Sequence, residues 1–306
     1  MTANNGTAEV RVTQSDLPGL FQDSDAAANC SQKVYLFLVG GALVCIVGAT
    51  LIEVLASIAD NNRKWLALVG AVVFGASLAL SIIVRLASYE KIWFDARAVA
   101  ESVKTLSWRY MTGAEPYHIF LSLEIVETLF VCDLKAVIAE RQKVTSHLAQ
   151  DHEPKVQITE VMRSVRRLGT EGRRDVYRNS RIREQMKWYR VRSLTNRKIG
   201  SRWFLAIFAA EFLAICSAVA YAFYWNRVAN LTGVFGGLAG ALIAWIQLKR
   251  YQELCQSYGL AQQELGLIEA ICDHISDDGQ LSEYVLDSER AISREHTLWL
   301  ARKTSP

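Results

Sequence analysis

Apolar positions along this chain gather into four long runs, arranged as two pairs. In the second pair, the 23 residues 203–225 contain one charge, Glu211, and the 18 residues 231–248 contain none. As helices they reach roughly 34 and 27 Å at ~1.5 Å per residue, against a hydrocarbon core of ~30 Å. The short link 226–230 allows only an antiparallel turn, so the pattern predicts a transmembrane hairpin. Residues 34–59, interrupted by Glu53, and residues 65–87, with Arg85 at the inner end, repeat the design around a polar link at 60–64.

Outside the runs the pattern stays helical. Residues 88–111 contain no Pro or Gly, and Ala96, Val99, Val103, Leu106 and Tyr110 recur at helical spacing, with Arg97, Glu101 and Lys104 marking the opposite face. Residues 249–275 continue past the second hairpin in the same way. Each of these outgoing helices opens on a tyrosine, Tyr89 or Tyr251, and reaches a glutamate, Glu101 or Glu264, about three turns later. That echo suggests a duplicated unit of two spans plus a helix. Residues 119–139 are mostly apolar but hold Glu124, Glu127, Asp133 and Lys135, each costing a few kcal/mol at mid-bilayer, so 117–150 reads as a buried cytosolic helix. Ile158, Val161, Val165 and Leu168 stripe a short helix that ends near Gly169 and Gly172. Residues 1–32 read as a polar tail, disordered or loosely helical and tied down around 17–21.

No alternating strand pattern appears, so the expected class is all-α: an integral membrane protein of two helical hairpins with a cytosolic helical bundle. The expected division is a first unit at 33–153 (spans 34–59 and 65–87, helices 88–111 and 117–150). A second follows at 154–306, with basic helices 155–200, spans 203–225 and 231–248, and helices 249–302.

Composition supports a membrane protein with a large wet part, being 51% apolar yet 21% charged. Only Arg63, Lys64 and Arg227 of the 34 Lys and Arg lie in the two links. The excess of positive charge on the other side therefore puts both termini in the cytosol. The six cysteines show no paired spacing, which suits reduced thiols. Residues 163–198 carry thirteen Lys or Arg against three acids, a net of +10, interleaved with Tyr177, Trp188 and Tyr189. Residues 251–296 carry a net of −8. The two segments could pack together and neutralise each other. The basic one could instead meet anionic headgroups, or a nucleotide or nucleic acid.

Gly233, Gly236, Gly237 and Gly240 form overlapping G-x-x-x-G patterns that let a backbone approach closely, either within the hairpin or between subunits. Glu53 and Glu211 are intramembrane acids, which either bond a neighbouring helix, as Glu211 could bond Gln247, or line a water path. Nothing points to catalysis, a cofactor or a metal. The five histidines form no H-E-x-x-H. His147, Asp151, His152 and Glu153 could ligate a metal on paper, but i,i+5 puts the imidazoles on different helix faces. Ser293, Glu295 and His296 are sequence neighbours whose side chains diverge on a helix and cannot form a relay.

The run from Arg178 through Arg181, Gln185 and Trp188 to Tyr189 leads into the second hairpin. Tyr251, Tyr258 and Glu264 follow it, then the block Glu289, Ser293, Arg294, Glu295, His296 and Trp299. Together these resemble the SLATT family, the SMODS- and SLOG-associating two-TM effector domains. The first half, with Arg97, Glu101, Trp108 and Tyr110, resembles another member of that group, so the chain reads as two fused copies. The resemblance implies a bacterial inner-membrane effector in a conflict, antiviral or stress response. Such a protein would oligomerise into a gated pore and depolarise the membrane. Its trigger would act in trans: a nucleotide second-messenger synthase, a SLOG-domain protein or a reverse transcriptase. The alternatives are a non-conducting membrane scaffold that docks a cytosolic partner and a small-ion channel or transporter.

Overall fold

A computed structural model describes residues 10–59, 61–141, 155–225 and 227–304, with side chains up to Ser293. The described residues are helical and contain no strand. The elements are α1 (Gly19–Ile58), α2 (Arg63–Ala87), α3 (Tyr89–Thr112), α4 (Leu123–Ala139), α5 (Glu160–Arg166) and α6 (Thr170–Tyr177). A π-helical turn, Arg178–Arg183, then leads into α7 (Glu184–Tyr224), followed by α8 (Thr232–Lys249), α9 (Tyr251–Ala270) and α10 (Asp278–Thr304). Four helical stretches are long and apolar enough to cross a membrane.

The residues fall into two compact units, and these do not follow the halves of the sequence. One comprises 31–90 and 193–256, the four apolar runs; the other comprises 1–30, 91–192 and 257–306. Both units draw on both repeats.

In the unit of apolar runs, small residues let the helices approach. Ser77 on α2 donates to the Ala42 carbonyl of α1 at 3.0 Å, and Gly40 lies against the Trp245 ring of α8. Its outer surface is crowded with exposed Leu, Ile, Val and Phe, as lipid contact requires. Each second run ends on one left-handed residue before the outgoing helix begins: Ser88 at φ 50° and Arg250 at φ 48°. Helix resumes directly after each, at Tyr89 and Tyr251. Neither Ser88 nor Arg250 is a glycine, so the sequence carries no sign of the break.

The other unit has a conventional core built on Val99, Val103, Trp108, Tyr110, Phe130, Met162, Tyr177 and Leu281. Two buried arginines fasten it. Arg166 donates to the carbonyls of Tyr110, Tyr117 and His118 at 2.8–2.9 Å, and Arg173 donates to those of Thr112 and Leu168 and to Asp278. Glu127, in the apolar stretch 119–139, is held below the ordinary carboxylate range by hydrogen bonds from Arg163. The α4 helix is therefore seated in this core rather than in lipid.

Residues 17–21 are tied down, as their pattern suggested, and the segment read as a disordered or loosely helical tail is helical from Gly19. A 3₁₀ turn at Gln14–Asp16 precedes α1, Leu17 and Phe21 are buried, and Gly19 N–H donates to the Val156 carbonyl at 3.0 Å. A Cβ on Gly19 would collide with Lys155, so glycine is what permits that approach. The polar positions here face partners: Asp23 meets Lys155 at 2.5 Å and Asp25 meets Arg97 at 2.8 Å. Residues 142–154, with His147, Asp151, His152 and Glu153, lie outside the described residues.

Candidate functional site

The basic segment packs on the acidic one. Arg178 pairs with Glu269 at 3.2 Å and Asp273 at 2.6 Å, Arg183 with Glu269 at 2.5 Å, and Arg173 with Asp278 at 2.7 Å. Pairing within the chain thus accounts for part of the basic charge. Asp277, just before α10, instead accepts from the Gln280 backbone N–H, and Asp287 pairs with Arg290 within α10.

At the centre of this pairing lies Arg181, with 1% of its side chain exposed. The π turn Arg178–Arg183 adds a residue per turn and re-aims the side chains that follow, a device common at functional sites. Arg181 meets Glu289 through two bonds, Nε–Oε1 at 2.8 Å and Nη2–Oε2 at 2.7 Å. Tyr177 and Thr105 donate to the same carboxylate at 3.0 and 2.7 Å. Burial acts to lower the guanidinium's pKa, but the Glu289 charge outweighs it and holds Arg181 above its ordinary value. Burial also pushes the Tyr177 hydroxyl well up, with Glu289 adding to it.

Beside Arg181 opens a cavity of about 150 Å³. Its walls include Arg97, Glu101, Lys104 and Trp108 of α3, together with Arg181, Gln185 and Trp188. The 12–17 segment closes another side through Val12 and Leu17. Six family-pattern residues thus meet at one place: Arg97, Glu101, Trp108, Arg181, Gln185 and Trp188. Helical spacing had set Arg97, Glu101 and Lys104 on a face opposite the apolar stripe; that face borders the cavity.

Other residues of the pattern do structural work. Tyr110 donates to Glu127 at 3.3 Å, Tyr189 stacks on Tyr258, and Trp188 meets the same ring edge-on. Arg178 holds the acidic segment, Glu264 is half-buried on α9, and Ser293 is exposed on α10. The side chains of Arg294, Glu295, His296 and Trp299 lie outside the described residues. Sequence reasoning passed over Lys104, Thr105, Tyr177 and Arg166 as site residues. Only the lysine's place on a helix with a buried stripe could have flagged it.

In the unit of apolar runs, Glu53 and Glu211 are both exposed, and neither makes a hydrogen bond or ion pair to the described residues. The bond of Glu211 to Gln247 is absent among them. Gly233, Gly236 and Gly240 are exposed, and a Cβ on any of them would meet open space. Gly237 instead sits half-buried against Thr50. Most of the glycine face is therefore not spent on packing within the chain.

Among the described residues no group of His, Cys, Asp and Glu could hold a metal ion, and all six cysteines are free. The family profile of SMODS and SLOG-associating 2TM effector domain 3 matches residues 18–174, and that of domain 1 matches residues 177–299. No curated protein and no solved structure matches the chain.

Proposed function

This chain belongs to the SLATT family, with two of its two-TM effector domains in tandem, and from that premise we propose that it assembles into an oligomeric, gated pore. In this reading it sits in a bacterial inner membrane with both termini in the cytosol. Opened by a sensor acting in trans, it lets ions collapse the membrane potential as part of a conflict or stress response. No catalytic step is involved.

The observation that carries the reading is Glu211. It lies inside an apolar run, exposed and unbonded to the described residues. A carboxylate facing hydrocarbon at depth costs roughly 2.5–3.5 kcal/mol, so such a group belongs against water or another chain. The open Gly233, Gly236 and Gly240 face supports the same idea, since small residues let helices of separate subunits approach. Several copies of Glu211 around a water path would favour cations over anions.

The test is electrical. Purified protein in liposomes should conduct cations in preference to anions. Glu211→Gln, which keeps the shape and removes the charge, should weaken that preference without changing assembly. In cells, forced expression should lower membrane potential and admit a small dye. An intact potential together with silent liposomes would sink the pore and leave the scaffold that docks a cytosolic partner.

A further inference from the structure

We infer that the cavity between α3, the π turn and the 12–17 segment binds one phosphate-sized oxyanion, either free or as the terminal phosphoryl group of an ester. The argument is an inventory of donors and acceptors. Each carboxylate at or behind the wall is already engaged by an arginine. Glu101 meets Arg97 at 2.8 Å, Glu184 meets Arg11 at 2.5 Å, and Glu289 meets Arg181 at 2.7 Å. Two buried donors remain without an acceptor among the described residues, and a half-buried ammonium beside them makes no hydrogen bond either. Nη1 of Arg181 and Nε1 of Trp108 are both buried and unbonded, on side chains about 98% enclosed. Lys104 makes no hydrogen bond or ion pair there, its ammonium lying 6.0 Å from the Phe21 ring centroid. An orphaned buried donor costs about 1–3 kcal/mol, more for a charged group. Two such donors on side chains that line one small space, with the half-buried Lys104 ammonium beside them, call for an acceptor-rich occupant.

Size narrows the class. A cavity of about 150 Å³ encloses a benzene-sized molecule, which suits the five heavy atoms of a phosphate. It is smaller than the ~300–1,000 Å³ of sites that enclose drug-sized ligands. The rim includes exposed Thr13, Gln14, Glu184 and Trp188, so an ester substituent could leave through the mouth.

Lys104 couples the site to pH. Burial pushes its pKa down to about 8, and the neighbouring Arg181 pushes the same way. The other charges acting on it are Glu101 and Arg97 from its own helix and Glu289 from α10. An anion in the cavity raises that pKa again. Binding is therefore accompanied by proton uptake and weakens as pH climbs past about 8.

The full-length protein in detergent or nanodiscs is titrated with inorganic phosphate, sulfate and methyl phosphate, following the melting temperature and the heat of binding. Sodium chloride at matched ionic strength is the control. A saturable phosphate-specific shift is expected, at least tenfold weaker in Lys104→Met and in Trp108→Phe, which keeps an aromatic ring beside Tyr177 but loses the indole N–H. The shift should also be weaker at pH 9.5 than at pH 7.5. Methyl phosphate binding as well as phosphate identifies an ester-borne group, and phosphate alone identifies the free ion. A shift no larger than that of chloride, or one unchanged in the folded Lys104→Met protein, overturns the inference and leaves a water-filled cavity.

Discussion

At the scale of single residues, the buried Arg181–Glu289 pair sets the stakes for this unit. Removing one partner leaves a charge with no water and no counterion, at about 3–5 kcal/mol. Arg181→Met should therefore cost about that much in unfolding experiments. Arg181→Met with Glu289→Leu should cost clearly less than the two single losses combined, and an additive result would mean the pair is not coupled. Lys104 works in the opposite sense. Its pKa in the folded chain, about 8, lies below the ordinary 10.5, so the unfolded chain holds more protons between those values. Stability rises across that window, and the cost of burying the ammonium is present in full below about pH 8. Lys104→Met should raise stability at pH 7 by something on the order of 1–3 kcal/mol, with the advantage fading towards pH 10.5. Helical spacing and the family pattern located Arg97, Glu101, Trp108 and Arg181 on the right helices. What they could not supply was that α3 is enclosed on its polar side as well, because a single periodicity reports one packed face and is blind to a second.

At the scale of elements, the four membrane runs were legible because nothing but a bilayer or a deep core tolerates such lengths of uncharged sequence. The two left-handed residues, Ser88 and Arg250, were not, since a serine and an arginine give no sign of positive φ. The helical start at Gly19 was hidden for a different reason: Asp23 and Asp25 look solvated until Lys155 and Arg97 arrive from distant positions. The glycines of α8 now divide into two kinds. Leu at Gly236 and Gly240 enters open space within one chain, so insertion and folding should persist while crosslinked or native-mass oligomers disappear. Leu at Gly237 meets Thr50 and should instead lower the melting temperature of the single chain. Equal loss of oligomer and of folded protein in both sets would remove the distinction.

At the scale of the whole molecule, the tandem family domains and the compact units partition the chain differently. The matches divide it near residue 175, whereas each unit gathers segments from both sides of that point. Sequence similarity follows the chain, while burial follows chemistry: lipid-facing runs collect with one another, and the charged helices, net +10 and net −8, collect with each other. The α7 helix is 41 residues without a break, and within the unit of apolar runs it buries Ile207 and Ala210, three positions apart on one face. One alanine inserted after Phe208 turns everything beyond it by about 100°, so one of those two residues must leave its socket. The same insertion beside Arg250, where the helix is already interrupted, meets a joint. Folded, membrane-inserted yield and melting temperature should fall sharply for the first insertion and much less for the second. Equal losses would show that α7 carries no fixed phase across its buried positions.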